Sequence, residues 1–192
     1  RTLSSIEGRI ARSSNGFALA SGPENGQYAH FADALAKLAK DRKVIIRPLL
    51  TEGGMVNLQM LRDGSASLAL SQSDVAWDAF NASGPFTGKG AFSTLRVMAS
   101  LYPEPVQVLV RADGPQQLEQ LRGKRINLGL PGSASRETAL AVLAAHQLQP
   151  EDFAEVTSLN LQEALAALRD DDIDGLIQII GLPADAIRAA SE

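Results

Sequence analysis

The sequence predicts an α/β protein made of two similar halves, and three observations predict it. Short apolar runs alternate with stretches whose apolar residues recur at helical spacing, the pattern of parallel strands flanked by helices. The tripeptide Leu61-Arg62-Asp63 closes one helical stretch ahead of an apolar run, and Leu168-Arg169-Asp170 does the same 107 residues later. Glycine-bearing loops keep that offset, one over residues 21–26 and the other over 130–135.

The elements follow in order. Residues 1–16 are polar, without a clear period, and stay poorly defined; within them Ile6-Glu7-Gly8-Arg9 matches a protease site used to remove tags. Residues 17–20 read as a buried strand and 21–26 as a loop by turn chemistry. Phe31, Ala34, Leu35 and Leu38 mark the apolar face of a helix. The β-branched run 44–46 reads as a strand, 51–54 as a second glycine loop, and Met55, Leu58 and Leu61 as the next helix face. Residues 68–70 form a strand, after which Ser73 or Asp74 can cap a helix carrying Val75, Ala79 and Phe80. Trp77 and Phe80 are expected in the core. Residues 81–90 are a turn-rich linker. Runs 95–101 and 106–110 alternate little and are expected as strands buried on both faces. Gly114-Pro115 opens a short helix that Gly123 ends, and 125–130 is a strand. Ser133 or Ser135 can cap a helix bearing Leu140, Leu143, Ala144 and Leu148. A short strand near 155–157 precedes Asn160 and Glu163, which make a capping box ahead of Leu161, Leu165 and Leu168. Residues 173–180 are the last strand, and Pro183 opens a terminal helix.

Composition removes several classes of function. A net charge of −4 argues against a nucleic-acid binder, which needs a basic face. The absence of cysteine excludes disulfides, thiolate catalysis and cysteine-ligated zinc. No apolar run is long enough to span a bilayer. His30 and His146 lie far apart without metal-ligand spacing, so no metal and no cofactor is expected. Asp170, Asp172, Asp174 and Gly175 begin like a calcium loop, but its twelfth position is Gly181 instead of glutamate; the run reads as a solvated turn. Nothing points to an enzyme.

In an open α/β sheet, ligands sit outside the carboxyl ends of the strands, where helix N-termini favour an anion. That places candidate contacts at Asn25, Gly26, Gln27 and Tyr28, at Gly53, Gly54 and Met55, and at Gln72 and Ser73. In the second half they are Gly132, Ser133, Ser135 and Arg136, with Tyr102 as an aromatic wall beside Tyr28. Each has a plainer alternative: helix capping for the serines, core packing for Tyr28, solvent for Arg136, and capping for Asp74.

In order along the chain, Asn25-Gly26-Gln27-Tyr28, Thr51-Glu52-Gly53-Gly54-Met55-Val56-Asn57, Gln72-Ser73-Asp74 with Ala76, Leu101-Tyr102-Pro103-Glu104 and Pro131-Gly132-Ser133-Ala134-Ser135 resemble the motifs of the TAXI family, extracytoplasmic solute receptors of TRAP transporters. The resemblance runs from about Phe17 onward. Gln27, Met55 and Ala134 stand where that family has Thr, Ser and Gly. It implies a two-lobed periplasmic-binding-protein fold of the second type, with a first lobe over 1–94, a hinge crossing over 95–101, a second lobe over 102–180, and a return hinge and terminal helix over 181–192. Family members usually run about a hundred residues further. The first lobe is therefore expected to be incomplete, through trimming or because the protein is a shortened relative. The implied function is non-catalytic capture of a small carboxylate-bearing solute, an amino acid, dicarboxylate or oxoacid, in a cleft between the lobes. The implied partners are that solute and TRAP-type membrane transporter subunits. The implied location is periplasmic or extracytoplasmic, with a membrane anchor possible through further sequence. The alternative is a ligand-sensing regulatory domain of the same fold, read by a signalling partner.

Overall fold

The computed structural model describes residues 15–190. The polar N-terminal stretch through Ser14, with its tag-like tetrapeptide, lies outside the described residues. The chain divides into two compact units, residues 1–71 and 72–192. The second takes in residues 72–94, which the sequence reading grouped with the first lobe.

In the first unit, β1 (Phe17–Ala20), α1 (Gln27–Asp41), β2 (Ile46–Leu49), α2 (Gly54–Asp63) and β3 (Leu68–Ala69) follow one another. The sheet is all parallel in the order β2-β1-β3, with Leu19 in register with Pro48 on one side and Leu68 on the other. Leu19, Ala32 and Leu70 form its buried cluster, with Tyr28, Phe31, Leu35, Ile46 and Leu68 packed around them. α1 is rotated from the expected face. Ala29 and Ala32 are the buried residues, and Ala34 and Leu38 face solvent. Alanine lets the helix lie close on the sheet, so the larger Phe31 and Leu35 pack at its flanks. β2 starts two residues later than the β-branched run suggests. Lys43 takes a left-handed conformation, leaving Val44 and Ile45 exposed in the connection. Pro48 can sit in β2 because β2 is an edge strand.

The second unit opens with α3 (Ser73–Asn81) and a 3₁₀ turn (Gly84–Phe86). It continues through β4 (Val106–Val110), β5 (Arg125–Asn127), α4 (Ala134–Ala145), β6 (Glu155–Thr157), α5 (Leu161–Arg169), β7 (Gly175–Ile179) and α6 (Asp185–Ala190). Its sheet order is β4-β7-β5-β6, parallel except for the antiparallel pair β4–β7. One face carries Ile126, Leu128, Ala139, Leu143, Ile177 and Ile179, and the other carries Leu165, Leu168, Ile173 and Leu176. Leu176 and Ile177 pack on opposite faces, as the two-residue period of a strand requires. Close approach fixes one glycine in this sheet: a Cβ on Gly175 would lie 3.0 Å from Leu121 Cδ2 and 3.3 Å from the Leu109 carbonyl oxygen.

Several expectations for this unit are overturned. Residues 95–101 form no strand; Val97 and Met98 are 81 % and 83 % exposed. β4 is a sheet edge, with Val106 and Val108 partly in solvent, and is not buried on both faces. An apolar run without alternation is equally compatible with an exposed connection, and neighbouring strands decide which forms. The helix expected after Gly114 is a single 3₁₀ turn, Leu118–Leu121, closed by Gly123 at φ 75°. The terminal helix begins at Asp185, two residues beyond Pro183. Trp77 is 67 % exposed and Phe80 41 %, because Val75 and Ala79 are the residues of α3 that face inward.

The acidic stretch before β7 is not a solvated turn throughout. Asp174 Oδ2 accepts from the Arg125 backbone N–H at 2.8 Å and from its Nε at 3.1 Å, and Asp174 Oδ1 accepts from its Nη2 at 3.0 Å. Asp171 reaches Arg111 at 2.7 Å and Arg125 at 3.2 Å. The Arg125 guanidinium holds the Asp174 carboxyl down to about 2 against an ordinary 3.8. Two arginines remote in sequence organise what looked like an uncompensated acidic run.

The repeat holds at the level of structure. α1 and α4 begin 107 residues apart, as do α2 and α5, and β3 and β7. The turn after the Leu-Arg-Asp tripeptides repeats too, with Gly64 at φ 79° and Asp171 at φ 65°. In each unit the first parallel strand lies between the second and the third.

Candidate functional site

In the first unit the candidate loops leave the carboxyl ends of the three strands. β1 runs into Ser21 and the loop that ends at Gly26, the N-cap of α1. Asn25 is exposed at its tip, while Gly26 and Gln27 are half-buried. Tyr28 packs against the Leu19–Leu70 cluster, and a Cβ on Gly22 would stand 3.2 Å from Tyr28 Cβ. The tyrosine therefore shapes this loop by packing beneath it. β2 runs through Leu50 and Thr51 to Gly53, the N-cap of α2; at φ 130° the backbone there needs glycine. Gly53 and Gly54 are buried and Met55 is half-buried.

One fully buried amide ties these ends together. Asn57 Nδ2 donates to the Ser21 carbonyl after β1 and to the Leu70 carbonyl after β3, the latter at 2.7 Å. Thr51 Oγ1, after β2, donates to Asn57 Oδ1 at 2.6 Å and accepts from the Gly53 N–H at 3.2 Å. Ser21 Oγ donates to the Leu49 carbonyl at 2.8 Å. Sequence reasoning did not assign this role to Asn57. A signal was present: Asn57 shares the inward stripe of α2 with Gly54, Leu58 and Leu61, and a polar residue there must find partners.

In the second unit, residues 72–74 and the start of α4 come together. Gln72 is the N-cap of α3 and is 8 % exposed. Neither Ser73 nor Asp74 is the cap: Ser73 is the exposed first helical residue, and Asp74 Oδ1 accepts from the next N–H, that of Val75, at 2.8 Å. Thr138, one turn into α4, places Oγ1 2.6 Å from Asp74 Oδ2 and 3.3 Å from Gln72 Oε1. Thr138 had no sequence signal beyond following the cap by about a turn.

At the head of α4, Gly132 takes φ 80° and Ser133 is the cap. Ser133 Oγ accepts from the Arg136 N–H at 3.2 Å and donates to the Leu130 carbonyl at 2.7 Å. Ser135 Oγ accepts from the Ile179 N–H at 2.9 Å, joining α4 to the end of β7. Arg136 folds back on the loop, with Nη1 2.9 Å from the Gly129 carbonyl and 3.2 Å from Ser158 Oγ. Glu137 is pushed up by burial, against the opposing pull of Arg136 and Lys89. Asn127 is fully buried beneath this region. Its Oδ1 accepts from Leu159 N–H at 2.8 Å and from Thr157 Oγ1 at 3.0 Å, so it fixes the loop after β6. Tyr102 is half-buried in the irregular segment before β4, and its phenol is pushed up to about 12 by burial and by Glu104.

The two units end their helices differently at these loops. Ser133 and Asn160 cap α4 and α5 with side chains that accept from the N–H three residues on. The equivalent caps of α1 and α2 are Gly26 and Gly53, which have no side chain to do so. Among the described residues no group of acidic, His or Cys side chains is placed to hold a metal, and no helix is long and apolar enough to cross a membrane.

Solved structures share this architecture. A protein of Bordetella bronchiseptica RB50 matches with a TM-score of 0.63 at 20 % identity, over 91 % of this chain and 54 % of its own. The alkanesulfonate-binding protein of Xanthomonas axonopodis pv. citri, bound to MOPS, matches with a TM-score of 0.55 at 19 % identity, over 87 % and 54 %. The periplasmic aliphatic sulphonate-binding protein of Escherichia coli matches with a TM-score of 0.55 at 19 % identity, over 92 % and 58 %. The chain thus spans little more than half the length of these relatives, and at such identities the likeness fixes the fold, the α/β fold of periplasmic binding proteins. The model of the NMT1-like family matches residues 19–192, nearly the whole chain. This chain belongs to the NMT1-like family.

Proposed function

We propose that the chain is a non-catalytic solute receptor that holds a small carboxylate-bearing solute at the carboxyl ends of its strands. The observation that carries this reading is the repeated βαβ frame: glycine loops at 107-residue spacing leave parallel strands and enter helix N-termini in both units. Backbone N–H groups at those positions suit an oxyanion. Family membership and the periplasmic, sulfonate-binding structural relatives support a binding role. Contacts proposed for the solute are the loops at Asn25–Tyr28 and Gly53–Met55, Gln72 and Ser73, Tyr102, and the α4 head from Gly132 through Arg136. Delivery to TRAP-type membrane subunits is the route implied by the motif resemblance, and an extracytoplasmic location goes with it.

Calorimetric titration with L-glutamate, succinate, pyruvate and ethanesulfonate tests the reading. One of these should saturate, and at a hundredfold excess over its Kd it should stabilise the fold by about 2.7 kcal/mol. Silence from folded protein across all four sinks the proposal. Saturation by ethanesulfonate alone keeps the receptor and removes the carboxylate. Uptake into vesicles carrying TRAP-type or ABC-type membrane subunits then decides the route.

A further inference from the structure

We infer that Ser71 is a ligand-contacting, specificity-determining residue, its hydroxyl donating a hydrogen bond to an oxygen of the solute's anionic group. The inference rests on the receptor reading above and adds to it a residue that neither the loop motifs nor helix capping single out.

The hydroxyls near the strand ends of the first unit differ in one respect. Ser21 Oγ donates to Leu49 O, and Thr51 Oγ1 donates to Asn57 while accepting from Gly53. Ser71 Oγ is shielded from solvent yet has no hydrogen-bond partner among the described residues. A hydroxyl withdrawn from water without a partner costs stability, so a position of that kind calls for an explanation. Local backbone error is a poor one here, because the residue on its N-terminal side is held firmly. Leu70 donates its N–H to Ala20 O at 3.0 Å, and its carbonyl accepts from the buried Asn57 amide. Ser71 is therefore presented from a fixed point just past the carboxyl end of β3, where open α/β sheets receive ligands.

The repeat supplies an internal control. The residue 107 positions on is Gln178, at the matching place in β7, and its Nε2 donates to the Ile179 carbonyl at 3.2 Å. The second unit satisfies its polar group there internally. The first leaves a preoriented donor unspent, and a hydrogen bond to a charged oxygen is the exchange that uses such a donor best.

The test is Ser71→Ala, measured twice. Thermal unfolding of the free protein should leave Tm unchanged or slightly raised, since the substitution removes a buried group that bonds to nothing. Calorimetry with L-glutamate, succinate, pyruvate and ethanesulfonate should show the saturating solute bound about 10-fold or more weakly than by wild type, the loss expected for a hydrogen bond to a charged group. Ser71→Thr, which keeps the hydroxyl, should recover part of that loss. A fall of several degrees in the Tm of free Ser71→Ala overturns the inference, because the hydroxyl then serves the fold. Saturation of wild type with unchanged affinity in Ser71→Ala overturns it while leaving the receptor reading intact. Failure of wild type to saturate with any of the four overturns both.

Discussion

The two units use one folding plan and stabilise it by different means. In the second, β7 lies between β5 and the antiparallel β4, and helices with side-chain caps pack on both faces of a four-stranded sheet. In the first, β3 pairs with β1 over two residues, the buried apolar cluster is small, and both helices start from bare glycine. What closes the first unit is polar: Asn57 fastens the ends of β1 and β3 and, through Thr51, reaches the end of β2. The lesson is that a repeated backbone frame does not repeat its energetics. The unit with more apolar burial also satisfies its helix termini from within, and the unit with less leaves its loop donors uncapped.

The most severe way to break this comparison is to truncate the matched core positions Ile177 and Leu70, which lie 107 residues apart. Ile177 is fully buried and Leu70 sits at the edge of burial. Ile177→Ala should cost about 4 kcal/mol and Leu70→Ala about 2–3 kcal/mol in denaturant unfolding. Equal losses would show that the first core is as tightly packed as the second. Next in size is Asn57→Ala, which strips the donor from two carbonyls and should cost about 2–3 kcal/mol. Hydrogen exchange should then quicken at β1 and β3 and stay unchanged at β5 and β7; uniform acceleration would deny that the clamp is local.

Acid should weaken the second unit. The Asp174 carboxyl is lowered in the folded chain, from 3.8 to about 2, so its contribution is present above about pH 4 and is lost as pH falls toward 2. About 1–2 kcal/mol should disappear over that window in wild type. Asp174→Asn should remove that share of the acid dependence, and an unaltered pH profile would show the pair to be idle. The smallest effect expected is for Asn160→Ala, which removes the capping box of α5 and should cost about 1 kcal/mol. Its counterpart Gly53 has no side-chain cap to lose.

The frame was legible because the two periods that encode it are local. The Leu-Arg-Asp tripeptides, the glycine loops and the Asn160–Glu163 box are each written within a few residues, and each reappears in the structure at its expected place. The failures share a cause of the opposite kind. Residues 95–101 have strand-like composition but no neighbour to pair with, and Trp77 and Phe80 sit outside because Val75 and Ala79 take the inner face of α3. The fate of Asp174 depends on Arg125, 49 residues away. Of the candidate site, the capping role of Ser133 could be read from spacing, whereas the Thr138–Asp74 contact, the return of Arg136 onto Gly129 and the Asn57 clamp arise only when distant segments meet.

Pro48 has a consequence outside the folded unit. Ile45 and Leu49 turn their carbonyls toward β1, so the residue between them in the alternation, Pro48, faces away from the sheet, and it has no N–H to offer there. The outer row of β2 is therefore broken at its third position, and a passing chain cannot zip along it. In a concentrated compartment this missing donor discourages intermolecular strand addition and keeps molecules of this chain apart.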